Sequence, residues 1–562
     1  MMDLERLEQI VGTGEDLDRE FKSDRRKFTD KEIFEEIVAL ANTDGGVLLI
    51  GVEDDGTVTG AEPRHGQVTD PLKLQSAIFN NTVPNINTRV SVVLHPGGQV
   101  IAIEVDRYPE PCATTRGKSL KRAVGPDGKP QTVPFYPRDQ RSRRVDLGLL
   151  DFSAQTIEGT SFQSLDSVEF DRLRQTVSRL KGDTTLLQLT DEELVKALRL
   201  VESRDGQLVP NVAGLLLLGK VDVLQQTMPT HEVRFQVLDG LGNVKANEVF
   251  LAPLVVVLQD LQSRFSARNE EKEIQVGMFR VPIPDYSPEG FREAVANAIL
   301  HRDYSRMGSV YVQWHPDHIL IANPGGFLPG ITPDNILVHE PKPRNPRLAE
   351  AFRRVGLVEQ TGRGVDKIYL GQVRYGRPIP DYTRSDSDGV RVVIRGGKPS
   401  LELAAFVFEQ EEQGSPLTLD ELIILNTLFF QRRIESRLAG KLIQKGGNEG
   451  RAKLEKLVER GFVEAKGEKK GRVYHLGAGL YRRFGDGTGY VRSHGISAIK
   501  HEHMVSEYVD AHGRIERKHV MELCGLSGDQ AGRLLKKLVR KGVLAQEGSP
   551  PRWTYYVRRR QS

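Results

Sequence analysis

The sequence predicts a multidomain α/β (α+β) protein, and three observations carry that prediction. Its 562 residues leave room for several domains at about 150 residues each. Helix-period and strand-period stretches alternate through residues 1–395. After residue 415, one pattern of three helices and a hairpin occurs twice. Composition agrees: 38% hydrophobic and 28% charged residues belong to ordinary globular material and exclude a collagen or a low-complexity chain. The two cysteines, Cys112 and Cys524, cannot by themselves make a disulfide framework or a four-ligand zinc cluster, and a reducing cytoplasm is the expected setting. The opening stretch MMDLERLEQIVGTGEDLDRE is acidic without an apolar core, so no signal peptide is expected. The longest apolar runs, Ala213–Gly219 and Leu254–Leu258, are far too short for a membrane span.

Residues 1–150 read as the first α/β domain. Ile33, Phe34, Ile37, Val38 and Ala41 recur at helical spacing in Lys31–Ala41, and the turn residues of NTDGG stop that helix. Val47–Gly51 is a short apolar strand, Asp54-Asp55-Gly56 a turn, and Ser91–Leu94 with Val100–Val105 a hairpin around Pro96-Gly97-Gly98. Residues 151–280 form a connecting α/β region with helices Ser167–Leu180 and Asp191–Leu200 and the strand Glu232–Leu238. Residues 281–395 hold a helix Pro288–Leu300, strands Val310–His315 and Ile319–Asn323, the Gly/Pro-rich Pro324–Gly330 and a helix near Pro346–Val355. Residues 396–415 and 481–497 are expected linkers around the repeated unit, which occupies 416–480 and 498–562.

Each repeat ends in a basic third helix stopped by glycine and continued by an apolar strand, RAKLEKLVERGFVEA in one and AGRLLKKLVRKGVLAQ in the other. Helix–helix–helix–hairpin of this form is a winged helix-turn-helix, so two are predicted. Charge supports a nucleic-acid-binding end. Residues 415–562 hold 29 Lys and Arg against 16 Asp and Glu, a net of +13, while the rest of the chain carries −10. In the first copy Leu454, Leu457 and Val458 are the expected core side. Arg451, Lys453, Lys456 and Arg460 are expected outside, and Lys466, Lys469, Lys470 and Arg472 on the wing. In the second, Ser527 is the expected N-cap, Arg533, Lys536, Lys537 and Arg540 carry the charge, and Arg552 lies on the wing. DNA is favoured over RNA because a DNA duplex admits a helix into its major groove. Protein docking is the competing use of such modules.

The middle block offers a second constellation. Glu293 and Asn297 stand four apart on one helix face, where a carboxylate could orient water and an amide oxygen help hold Mg²⁺. Asn323-Pro324-Gly325-Gly326 ends a strand, and Gln360-Thr361-Gly362-Arg363-Gly364 opens a helix whose amides could face phosphate. Their order resembles the GHKL ATPase family. More closely, EAVANAILHRDYS, IANPGGF and RNPRLAEAFRRVGLVEQTGRGVDKI resemble the divergent GHKL-type α/β sandwich that follows a Schlafen/AlbA-like domain in many bacterial proteins. That resemblance implies ATP with Mg²⁺, Glu293 as the water-activating base and Asn297 as metal ligand. It also implies Asn323 in the adenine-facing place, where the family has Asp, and Gly325, Gly326, Gly362 and Gly364 near phosphate.

At the N-terminus, Glu15, Glu20 and the acids Glu53, Asp54 and Asp55 could meet at one sheet end and hold Mg²⁺ or Mn²⁺ for phosphodiester hydrolysis, with Lys22 neutralising transition-state charge. Glu20 could equally pair with Lys22 or an arginine across the sheet, and Asp54-Asp55 could serve as turn residues. GEDLDREFKS followed by EIVALANTDGGVLLIGVEDDGTVTG resembles the Schlafen/AlbA-like domain. In Schlafen nucleases two such glutamates and an aspartate form the metal site, which implies Glu15, Glu20 and Asp54 here, with Glu53 as rival for the third place. The stretch Arg138–Arg144 could bind phosphate or be a solvated loop, and His315, His318, His501 and His503 make no metal site by spacing.

The reading that unites these features is a DNA-binding transcriptional regulator, acting as a homodimer, with a nucleotide-sensing or dimerising middle module. The alternatives are a metal-dependent endonuclease on structured RNA such as tRNA, suited to phage defence, and an assembly scaffold.

Overall fold

Asp30–Ala41 is helical because Thr29 and Glu32 close a capping box, each accepting from the other's backbone amide. In this computed structural model, which describes residues 2–276, 279–358, 364–396, 400–467, 472–484, 498–524, 526–547 and 554–559, that helix covers one face of a four-stranded sheet. The strands run in the order Arg19–Lys22, Gly45–Ile50, Gly98–Asp106, Thr88–His95, the first pair parallel and the others antiparallel. Strand alternation gives the sheet two apolar faces. Leu48, Ile50, Ile101 and Ile103 pack under the helix, while Phe21, Val47, Leu49, Val100 and Ala102 pack with Leu7 of the helix Leu4–Thr13. Gly46 is forced by close approach: at φ +139° its missing Cβ would lie 2.0 Å from the Asp18 carbonyl oxygen. The Asp54 turn forms as expected, with the Glu53 amide donating to Thr57 O at 2.9 Å. Arg138–Arg144 is not a loop: it belongs to the helix Pro137–Asp146.

The chain divides into two units, Met1–Gln155 with Asp303–Met307 and Arg344–Pro346, and the remainder. The second unit holds a five-stranded mixed sheet in the order Val244–Phe250, Val233–Leu238, Val310–Trp314, His318–Pro324, Gly389–Arg395. Helices Pro288–Leu300 and Gly364–Val373 pack together, and Phe291 of the first stacks on Phe265 at 4.1 Å between ring centres. Arg302 is buried and donates to the carbonyls of Thr230 (2.6 Å) and Gly308 (2.7 Å).

The expected linker 396–415 is largely helix. Leu401–Glu412 is capped by Ser400 and buries Leu403, Ala404, Phe406 and Val407 on one face. The glycine and proline flanks suggested a linker, but the i, i+3, i+4 apolar spacing between them needs a partner to cover it. Of the expected linker 481–497, residues 485–497 lie outside the described residues.

Both C-terminal repeats share one order. The first runs Leu419–Gln431, Ile434–Glu435, Ser436–Leu442, Gly447–Glu459, Val463–Lys466, Val473–Leu476, its short first strand pairing the last strand of the hairpin. The second runs Ala498–His512, Arg514–Ile515, Arg517–Cys524, Gly528–Arg540, Leu544–Glu547, Tyr555–Arg558, with the same pairing. The two-residue strands are too short to carry a period, so periodicity merges the first into the following helix.

His231 is fully enclosed, with Nε2 donating to Ala252 O at 3.0 Å; burial pushes its imidazole down to about 4, the Ala252 carbonyl opposing and Arg302 adding to the effect. The unfolded chain protonates this ring near 6.5 and the folded one does not, so its contribution is complete above pH 6.5 and is lost as pH falls toward 4. At about 1.36 kcal/mol per pKa unit, this residue should cost up to about 3 kcal/mol across that window. Urea unfolding at pH 7 and pH 4 should show His231→Gln with a smaller loss than the parent chain; equal losses would refute the assignment.

Candidate functional site

In the N-terminal unit, Glu20 and Lys22 share one face of their strand by its period of two, and both point to the Asp30–Ala41 side, where Glu20 is only 4% exposed. The Glu20 carboxylate is gripped by Lys22 and by Arg122, whose side chain is fully buried on the strand Leu120–Val124. Glu36, one turn along the helix from Ile33, completes the cluster. Its carboxylate accepts from the Thr132 hydroxyl at 2.6 Å and lies 4.0 Å from both Lys22 and Arg122. Burial raises the Glu36 carboxyl, and Lys22 opposes this. Burial pushes the Lys22 ammonium down, but Glu20 and Glu36 outweigh it and its pKa is raised. Glu15 accepts from the Phe21 amide at 2.9 Å; burial raises its carboxyl, with the charges of Glu20 and Asp54 adding to this. Asp54 is exposed, and Glu53 accepts instead from Ser23 (2.9 Å) and Thr59 (2.6 Å).

The structure therefore brings Glu15, Glu20 and Lys22 together but sets a second cation, Arg122, on the acid at their centre. Among the described residues, no group of three or more His, Cys, Asp or Glu is placed to hold a metal ion. With Arg122 and Lys22 already matching Glu20, these residues as arranged do not fit Mg²⁺ or Mn²⁺. Sequence reasoning missed Arg122 and Glu36. Glu36 sits on the helix face that carries Ile33, a legible signal; Arg122 has none, because its partner lies far along the chain.

In the middle block, Glu293 is 3% exposed on the helix Pro288–Leu300, and Asn297 is half-buried one turn on. A Cβ on Gly364 would lie 1.9 Å from Glu293 Oε1, so the carboxylate occupies the place of a side chain there. Gly326 is pressed the same way, its absent Cβ 2.5 Å from Asp386 O. Asn323 is buried and its amide nitrogen donates to Pro324 O at 3.2 Å. Gly325 holds φ +93° and donates its amide to Asp388 O at 2.8 Å. These glycines serve the protein's own packing, and Glu293 is closed off from solvent. As arranged, Glu293, Asn323, Gly326 and Gly364 do not form an open cradle for ATP and Mg²⁺. Gly362 lies outside the described residues.

The basic faces of the repeats differ. In the first, Lys453 pairs with Asp420 (3.0 Å), Lys456 with Glu421 (2.9 Å), and Arg460 with Glu421 (3.6 Å). Burial raises both acids, but hydrogen bonds and charge from Lys445 and Lys453 at Asp420, and from Thr418 and Lys456 at Glu421, outweigh it and hold the carboxyls below their ordinary values. Lys453, Lys456 and Arg460 thus pair with acids at the start of Leu419–Gln431, Lys456 staying exposed as it does so, while Arg451, also exposed, lies 3.8 Å from Glu455. Arg472 also meets Glu455, at 3.0 Å. Glu421 was legible as half of a capping box with Thr418. In the second repeat Ser527 caps Gly528–Arg540 as expected. Lys537 pairs with Glu502 (2.9 Å) and is exposed, as are Arg533, Lys536 and Arg540. Among the described residues these three have no acidic partner. Lys469, Lys470 and Arg552 lie outside the described residues.

The fold is that of a multidomain mixed α/β protein, and family models place a Schlafen/AlbA_2 domain and a RecG C-terminal domain within it. Residues 15–129 match the family described as "Schlafen, AlbA_2", and residues 308–394 the one described as "Putative ATP-dependent DNA helicase recG C-terminal". Residues 144–234 match a domain of unknown function, DUF8451. The crystal structure of the DIP2311 protein from Corynebacterium diphtheriae is similar over 99% of each chain, at 21% identity and a TM-score of 0.49. No curated protein matches the chain. Among the described residues no helix is long and apolar enough to cross a membrane.

Two outcomes follow from these geometries. Arg122→Ala leaves the buried Glu20 carboxylate to Lys22 alone and should destabilise by up to about 3 kcal/mol in urea unfolding, with Glu20→Gln added to it recovering part of the loss. Gly364→Ala collides with Glu293 and should lower the melting temperature, while Glu293→Ala in the same chain should relieve it. Additive losses in either double variant would show that the paired groups do not interact.

Proposed function

We propose that this chain is a DNA-binding regulator whose two C-terminal repeats are winged helix-turn-helix domains. The carrying observation is the helix Gly528–Arg540. Its buried face holds Leu534, Leu535 and Leu538, and its open face presents Arg533, Lys536 and Arg540 without acidic partners among the described residues. A helix of this kind enters a DNA major groove about 12 Å wide, whereas the major groove of duplex RNA is too narrow. The Schlafen/AlbA_2 and RecG C-terminal matches support the same class. The ATPase-type module is read as the part that pairs two copies. With Glu293 locked against Gly364, turnover is not assigned to it. A two-fold dimer would place two such helices on paired half-sites.

Binding of labelled duplex DNA, followed by anisotropy from low to moderate salt, tests this reading. Log affinity should fall linearly with log salt, with a slope of about −0.9 per phosphate contacted. Failure to bind duplex DNA at low salt would overturn it. Cleavage of pooled tRNA in Mn²⁺ that Glu20→Gln abolishes would make the nuclease reading primary instead.

A further inference from the structure

The two third helices can be set in one register. Gly461 and Gly542 each end their helix at φ +73°. Counting back, Leu457 falls on Leu538 and Leu454 on Leu535, all four buried. The same register places Lys456 on Lys537, Arg460 on Lys541 and, on the first helices, Glu421 on Glu502. In both repeats that acid holds both of those cations: Glu421 meets Lys456 at 2.9 Å and Arg460 at 3.6 Å, and Glu502 meets Lys537 at 2.9 Å and Lys541 at 2.7 Å. This repeated clasp ties the third helix to the first and engages Lys456, Arg460, Lys537 and Lys541, four of the nine Lys and Arg in 451–460 and 533–541.

What remains differs in sign. At the i, i+3, i+7 positions that open outward, the second repeat has Arg533, Lys536 and Arg540, whereas the first has Ala452, Glu455 and Glu459. Glu455 already serves Arg472 and accepts from the Tyr474 hydroxyl at 2.8 Å. The first repeat is also tied down at its helix-turn-helix turn. Gln444, at φ +58°, accepts from the Leu337 amide at 2.6 Å and donates to Pro333 O at 2.9 Å. Asn426 on its first helix donates to Arg377 O at 2.7 Å, in a buried contact.

We infer that the two repeats have divided roles: the second docks duplex DNA through Arg533, Lys536 and Arg540, and the first is an internal dock that fastens the ATPase-type part and touches no phosphate. The inference rests on the DNA-binding reading above. Acidic residues at the first repeat's outward positions repel a phosphate backbone, and its turn is held by residues 333–337 of the same chain.

The test uses the full-length chain and a labelled DNA duplex, with unfolding curves to show that each variant is folded. Arg533→Ala/Lys536→Ala/Arg540→Ala should flatten the log–log salt slope by about 2–3 units, at about 0.9 per phosphate lost, and weaken binding at least 100-fold at low salt. Arg451→Ala/Lys466→Ala and Gln444→Ala should leave slope and affinity within twofold of the parent. A retained slope in the triple variant, a matching loss in the Arg451/Lys466 variant, or tighter binding in Gln444→Ala would overturn the division while leaving DNA binding intact. A parent chain that binds no duplex DNA, whether or not it binds structured RNA through the same three residues, would instead overturn the reading on which the inference rests.

Discussion

A carboxylate enclosed in an apolar layer costs several kcal/mol unless a cation and hydrogen bonds meet it. This chain encloses such groups repeatedly. Glu20 is met by Arg122 and Lys22, and Glu421 by Lys456 and Arg460. In the N-terminal unit the match joins the first strand to the Leu120–Val124 hairpin and to the Asp30–Ala41 helix through Glu36 and Thr132. The layers of that unit can close only when these charges are paired. The same pairing decides what is left over for a ligand.

The middle block obeys a steric version of that constraint. Glu293 fits because Gly364 has no side chain, and the backbone at Gly326 fits against Asp386 for the same reason. Glycines in an ATPase-like order invite a phosphate reading. Here the space they free is filled from within the fold, by a carboxylate in one case and a peptide carbonyl in the other. The match to the RecG C-terminal model covers residues 308–394, which begin after Glu293 and Asn297, so the sheet of that domain is what the comparison supports.

Charge at the C-terminal end is likewise partitioned. Cations one helical turn apart on a third helix face either the first helix or solvent. The inner set is paired in both repeats, and at the outward i, i+3, i+7 positions of the third helix the second repeat carries Arg533, Lys536 and Arg540 where the first carries Ala452, Glu455 and Glu459. The gross count of 29 Lys and Arg over residues 415–562 therefore overstates the cations open to nucleic acid, because several of them are paired with acids within each repeat.

Local pattern determined a good deal by itself. Helices Ser167–Leu180, Pro288–Leu300 and Pro346–Val355, the hairpin of residues 88–106 and the doubled C-terminal order were legible, since capping residues, apolar period and turn chemistry act within a few residues. Those same signals hid the helix Leu401–Glu412, where glycine and proline flanks outweighed a short apolar face. Only the tertiary structure decided which charges meet. Arg122 reaches Glu20, and Lys537 turns to Glu502 while Lys536 beside it does not, because Coulomb attraction and burial act across space between segments that the chain order keeps apart. The presence of Glu15, Glu20, Lys22 and Glu293 was readable from sequence. Their surroundings were not, and the surroundings are what set their chemistry.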